Sequence, residues 1–92
     1  MDKYIISYDL IGPNRDYNAV IKKIETYPAS VTVLESVWIV MTDKTAPEIR
    51  NDISTVLDGN DKIFVAKLTG HAAWNNNLEY SKEIKEILER KS

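Results

Sequence analysis

The sequence predicts a small α+β domain, and three observations lead to this prediction. Short runs rich in β-branched and aromatic residues alternate with segments of helical periodicity. Two of the runs are separated only by Glu35-Ser36, which is typical of a tight hairpin. Glycine, proline and asparagine residues stand between several of the elements. A chain of 92 residues is long enough for one domain with a thin core, and not for two.

The first strand and the first helix are marked by composition and by a capping residue. The apolar run over residues 3–10 predicts a strand, which Gly12-Pro13-Asn14 ends. Asp16 is a suitable N-cap for a helix that Pro28 terminates. The apolar stripe predicted for this helix consists of Tyr17, Val20, Ile21, Ile24 and Tyr27.

The second half of the chain repeats this alternation. Thr45-Ala46-Pro47-Glu48 is a capping box, in which Thr45 accepts the backbone N–H of Glu48 and the Glu48 side chain reaches back. Asp58-Gly59-Asn60-Asp61 has the composition of a helix termination rather than of a calcium loop. The remaining predicted elements are strands at 31–34, 37–41 and 62–68, a helix from the capping box to about residue 57, and a helix at about 78–90.

The order strand, helix, strand, strand, helix, strand is that of the ferredoxin-like βαββαβ fold. In this arrangement two crossovers joined by a hairpin form an antiparallel sheet with both main helices on one face. We expect residues 1–70 to form this domain. Residues 71–92 are expected to form a C-terminal helical tail that packs on the domain or on a partner subunit.

The second face of the predicted sheet is apolar as well. A sheet with helices on one side only should alternate apolar and polar residues, but residues 37–41 are apolar throughout, and residues 4–6 and 63–66 follow the same pattern. An apolar patch of that size needs a cover. We expect a homodimer formed through the open sheet face, with the C-terminal helix as the alternative cover.

Composition excludes several classes of function. The chain has no cysteine, which rules out disulfides and thiolate chemistry. It has no apolar stretch near the roughly 20 residues that a membrane span needs, and its N-terminus leads directly into a strand, so we expect a cytoplasmic protein without membrane contact. The net charge of −2 counts against strong, non-specific binding of nucleic acid.

Two segments carry a resemblance to a known family. The first strand, Tyr4 to Leu10, and the hairpin segment Glu35-Ser36-Val37-Trp38 resemble the small CRISPR-associated adaptation proteins, the dimeric partners of the integrase. The similarity in order and spacing covers roughly residues 3–68, and extends more distantly to the virulence-associated protein D ribonucleases. The resemblance implies a dimer that binds nucleic acid, with metal-dependent cleavage in some members and a structural role in others.

Asp9 is the catalytic and metal-ligating residue that this resemblance implies, with one copy from each subunit. Magnesium, the cofactor that would fit, prefers oxygen ligands and keeps waters, one of which could attack a phosphate. The alternative is that Asp9 caps the turn leading to Gly12-Pro13, which is a common role of aspartate.

Six further residues are candidates for contact with nucleic acid: Tyr8, Arg15, Lys22, Lys23, Ser36 and Arg50. The alternatives are that the cations belong to solvated helix faces and that Tyr8 is a packed sheet aromatic. Related proteins often carry an arginine and a glutamine where this chain has Thr32 and Leu34. This difference favours a second hypothesis, a non-catalytic module that binds another protein of a defence or counter-defence system.

His71 and Trp74 lie in the segment after the last predicted strand. A single histidine can act as a general acid or base, but it is more often a surface residue. Trp74 could stack on a base or anchor the C-terminal tail.

Overall fold

The computed structural model describes residues 1–75 and 78–90 of the chain. Within them the protein is a mixed α+β domain with a four-stranded antiparallel sheet and three helices. The strand order is β2-β3-β1-β4, so that β1 and β3 are interior strands. The elements are β1 (Asp2–Asp9), α1 (Tyr17–Glu25), β2 (Ala29–Leu34), β3 (Val37–Thr42), α2 (Ala46–Ser54), β4 (Lys62–Leu68) and α3 (Ser81–Glu89).

The predicted starts of α1 and α2 are confirmed by their capping contacts, whereas α3 begins at Ser81, later than predicted, and has no side-chain cap. The Asp16 carboxylate accepts the backbone N–H of Ala19 at 3.0 Å, and the capping box between Thr45 and Glu48 forms in both directions. α2 ends earlier than predicted because Thr55 and the next two residues donate to carbonyls three positions back, which is a tighter turn.

One face of the sheet packs against α1 and α2. Alternate residues of β1 point to this side, and each helix adds a stripe of apolar residues. We call this cluster the first core, and its buried members are Tyr4, Ile6, Tyr8, Leu10, Val20, Ile24, Tyr27, Trp38, Val40, Ile49 and Ile53.

The second face is covered over β2 and β3 by α3. Ile84, Ile87 and Leu88 are buried against alternate residues of both strands. The sequence favours a second copy of the chain, rather than the C-terminal helix, as the cover of this face. Over β2 and β3, however, the structure shows that the cover is the C-terminal helix. The three side chains lie on one stripe of α3. This stripe is sufficient to cover the apolar residues of β2 and β3, because these form only a narrow strip beneath the helix.

A buried lysine fixes the end of α3. Lys3 points to the second face from β1, is 7% exposed and donates from Nζ to the carbonyl of Leu88 at 2.8 Å. This carbonyl lies in the last turn of the helix, where carbonyls lack intrahelical partners and a cation is favoured by the helix dipole.

The other half of the second face is not covered by α3 or by any other element of the described residues. We call it the open half-face; it consists of Ile5, Ser7, Val37, Phe64 and Ala66. Phe64 is 65% exposed there although it occupies the middle of a strand. No helix in the described part of the chain has the length and apolar character needed to cross a membrane.

Candidate nucleic-acid interface

Asp9 is the last residue of β1 and is exposed. It lies opposite Lys62 of β4, on the same side of the sheet as the open half-face, because alternate residues of a strand share a face. Its carboxylate makes no hydrogen bond or ion pair with the residues that the structure describes. A charged oxygen ligand is therefore available at this position.

The turn that follows β1 is held by Asp61 instead of Asp9. The backbone N–H groups of Ile11 and Gly12 both donate to Oδ1 of Asp61 at 2.7 Å, and the N–H of Asp58 donates to Oδ2 at 2.7 Å. These donors, the N–H of Gly12 foremost, lower the pKa of Asp61, and the nearby charge of Arg15 adds to the effect. The carboxylate thus stays ionised and fixes the loop.

Asp58 makes a second attachment between the same two loops. Its carboxylate accepts the backbone N–H of Asn14 at 3.1 Å and the side-chain amide of Asn14 at 3.0 Å. A Cβ at Gly12 would collide with the side chain of Asp58, so this close approach requires glycine. The turn from Asp58 to Asp61 therefore has two roles: it follows the end of α2, and it holds the β1–α1 loop in place. The sequence predicted only the first of these roles.

The β1–α1 loop presents a cation and an aromatic ring to solvent. Arg15 adopts a φ of 42°, in the left-handed region, and is exposed. Tyr17 is 43% exposed, so its assignment to the inward stripe of α1 was wrong; it occupies the first position of the helix. The two residues line a shallow hollow of about 450 Å³ with Asn14, Asn18 and the helix-capping Asp16. Such a set of groups can contact phosphates and stack on a base.

Ser36 lies at the same end of the sheet. Its backbone carbonyl accepts the N–H of Tyr8 at 3.1 Å, which places the β2–β3 hairpin beside the end of β1. Asp9, Ser36 and the loop that carries Arg15 and Tyr17 therefore lie at the same end of the sheet, and we call this region the Asp9 end.

The other predicted cations lie elsewhere. Lys22 and Lys23 are in the last turn of α1, and Nζ of Lys23 pairs with Oδ1 of Asp52 at 3.1 Å. Burial acts to raise the pKa of Asp52, but hydrogen bonds from Tyr27 and Lys23 outweigh it and the net shift is downward. Arg50 is exposed on α2 and donates from Nε to the side chain of Asn51 at 3.2 Å. Within the described residues, none of these three cations forms an ion pair with Asp9.

Tyr8 faces the first core and not the surface. It is 3% exposed, and burial raises the pKa of its hydroxyl. The nearby indole N–H of Trp38 acts in the opposite direction and lowers this pKa, but its effect is smaller than that of burial. Neither the Tyr8 hydroxyl nor Nε1 of Trp38 has a partner with hydrogen-bond geometry among the described residues. We therefore leave Tyr8 out of the proposed interface.

A metal ion would find few ligands within one protomer. The described residues contain no group of three or more His, Cys, Asp or Glu side chains that could hold an ion. Magnesium, however, commonly binds through one or two carboxylates and keeps several waters. The carboxylate of Asp9, which is exposed and has no partner within the described part of the chain, fits such a role as one ligand. His71 is exposed and lies after β4, with its backbone N–H 3.4 Å from Oγ1 of Thr69.

Comparison with known proteins adds no assignment to this geometry. No protein-family model matches the chain, and no solved structure matches it significantly. The likeness of the first strand and the hairpin to the CRISPR-associated adaptation proteins is therefore limited to short motifs.

Proposed function

We propose that the protein is a ferredoxin-like homodimer that binds nucleic acid at its Asp9 end and cleaves it weakly with the help of magnesium. The observation that carries this proposal is the position of Asp9. Its carboxylate is exposed, has no partner among the residues that the structure describes, and borders the open half-face. The ferredoxin-like βαββαβ assignment is supported by the element order and by the strand order β2-β3-β1-β4.

The open half-face supports the dimer. Phe64 is 65% exposed at the β4 edge of it, and Leu34 of the opposite edge strand β2, which pairs with Val37, is 57% exposed. Exposed large apolar side chains on a sheet face mark an interaction surface. A second copy related by a two-fold axis would cover Phe64 with the same patch, since such interfaces are self-complementary.

The dimer would also complete the metal site. Asp9 follows Ser7 on the same side of β1, so an axis that passes close to this end of the open half-face would bring the two Asp9 carboxylates toward each other. Two like charges at short distance repel, and a divalent cation relieves this repulsion. Magnesium, when bound, supplies Lewis-acid activation of a phosphate or of a water. Arg15, Tyr17 and Ser36 would orient the strand by contacts with its backbone and bases.

Asp9→Asn is the variant that tests this function. We expect the protein to cleave at least one of four substrates (single- or double-stranded RNA or DNA) with magnesium and none with a chelator. Asp9→Asn should abolish the cleavage, because the amide cannot serve as an anionic ligand. Asp43→Asn is the matched control, since Asp43 has an 89% exposed side chain and lies at the opposite end of the sheet. Equal cleavage by the wild type and the Asp9 variant would contradict the role of Asp9.

A non-catalytic interaction module is the second candidate. It is favoured by the dispersed cations, since Lys23 is already paired with Asp52 and the net charge is −2. In this case the open half-face or the Asp9 end would bind another protein, such as a component of a defence system. Failure of the wild type to retain any of the four nucleic acids at low salt would overturn the first proposal and favour this one.

A further inference from the structure

A second concave surface lies between α3 and the segment that follows β4. Its volume is about 640 Å³, within the range of small-molecule sites. We call it the Trp74 groove, after the aromatic residue in its lining. The groove lies beyond the Leu68 end of β4, whereas Asp9 pairs with Lys62 at the other end of the same strand.

Trp74 is placed to act as a stacking platform. It is half-buried, packs against the second-face cluster that contains Ile84, and still lines the groove. The neighbouring wall residues are Gly70, Ala72 and Ala73, whose small side chains leave space around the ring. Because packing already restrains the indole, stacking a planar ligand on it loses little side-chain freedom.

The α3 side of the groove carries two lysines and one glutamate. Lys82 and Lys85 lie on adjacent turns of the helix, and both line the groove together with Glu89. Lys85 is 3.9 Å from the carboxylate of Glu89, but both side chains are about two-thirds exposed, so the pair is weak. Lys82 makes no hydrogen bond or ion pair with the described residues. Because the two lysines outnumber the single carboxylate in this wall, the wall favours an anionic ligand.

We propose that the Trp74 groove binds a nucleotide, with the base stacked on Trp74 and the phosphate beside Lys82 and Lys85. A nucleotide combines the planar ring and the anionic group that this lining can recognise. The ligand can be a free nucleotide or one nucleotide of a single strand, which share this chemistry. The inference depends neither on the dimer nor on Asp9.

The indole N–H signals in a proton–nitrogen NMR spectrum test this proposal. The chain has two tryptophans, and Trp38 serves as an internal control because it is 8% exposed within the first core. Trp74→Phe identifies the two signals by removing one. Adding adenosine monophosphate should shift the Trp74 signal and leave the Trp38 signal in place. An unmoved Trp74 signal at millimolar nucleotide, or equal shifts of both indoles, would overturn the proposal.

A pair of charge reversals tests the role of the lysines. Lys82→Glu should weaken adenosine monophosphate binding about tenfold, which corresponds to ~1.4 kcal/mol. Lys22→Glu changes the net charge equally but lies on α1, and it should leave the affinity unchanged. Equal losses in the two variants would overturn the phosphate site.

A comparison of ligands distinguishes a strand from a free nucleotide. Tighter binding of a short oligoadenylate than of the mononucleotide would identify a strand as the ligand, and equal binding of the two would identify a free nucleotide. Asp9→Asn should not alter either result, which separates this inference from the proposed nuclease.

Discussion

The two faces of the sheet differ in how completely they are covered. On the face that packs against α1 and α2, Ile6, Val40, Ile49 and Ile53 have no exposed surface. On the other face α3 covers β2 and β3, while Phe64 of β4 remains 65% exposed. Burial provides most of the stability of a small domain, and exposed apolar surface is available for association. The first face therefore provides most of the buried core, and we propose the open half-face as the surface for partner binding.

The largest expected effect is loss of stability from the covered face. Ile53→Ala should lower the free energy of unfolding by about 3 kcal/mol, because it leaves a cavity between α2 and the sheet. Phe64→Ala should change the stability of the monomer by about 0.5 kcal/mol or less, since the ring is mostly in water. Urea unfolding at a concentration low enough to keep the protein monomeric measures both values. Similar losses in the two variants would remove the distinction between the faces.

A smaller effect is expected where β1 fixes α3. Lys3→Met keeps the length of the side chain but leaves the Leu88 carbonyl without its donor, and should cost about 1–2 kcal/mol. Lys67→Met is the control, because the Lys67 side chain is 62% exposed and its ion pair with Asp2 is a surface pair worth about 0.5 kcal/mol. Hydrogen exchange should show faster opening of α3 in the Lys3 variant only. Unchanged protection of α3 in that variant would contradict the anchoring role.

The smallest effect depends on pH and arises at the Asp9 end. The folded state lowers the pKa of Asp61 below its ordinary value of 3.8, so its contribution to stability is present above that pH and is lost as the pH falls through the lowered pKa. Asp61→Asn should therefore destabilise the protein at neutral pH, and the difference from the wild type should shrink in acid below about pH 4. Unfolding curves over this pH range measure the difference. A difference that stays constant into strong acid would show that ionisation of Asp61 is unimportant.

Local sequence patterns predicted the helices and strands of the fold, but they did not predict the contacts between distant segments of the chain. Asp16 and the Thr45–Glu48 box were identifiable because a cap and its partners lie within three residues. The bond from Ile11 to Asp61 joins residues 50 positions apart, and no local pattern indicates it. The strand residues Phe64 and Ile39 both belong to apolar runs, but only the position of α3 determines which is exposed.

The same limit applies to the candidate site. The exposed position of Asp9 at the end of β1 follows from strand alternation and from the break at Gly12. The burial of Tyr8 and the exposure of Tyr17 depend on how α1 lies over the sheet, which periodicity alone describes too coarsely at a helix end. Lys3 had no signal as an anchor, because its partner is a backbone carbonyl near the other end of the chain.

Sedimentation analysis of the wild type and of Phe64→Glu tests the central claim, that the open half-face joins two copies of the chain. We expect the wild type to sediment as a dimer at tens of micromolar, about 10⁻⁵ M. The variant should sediment as a monomer with an unchanged secondary structure, because the charge lies on an exposed position in the monomer and would be buried without a partner in the dimer. A monomeric wild type at this concentration, or a variant that remains dimeric, would contradict the account.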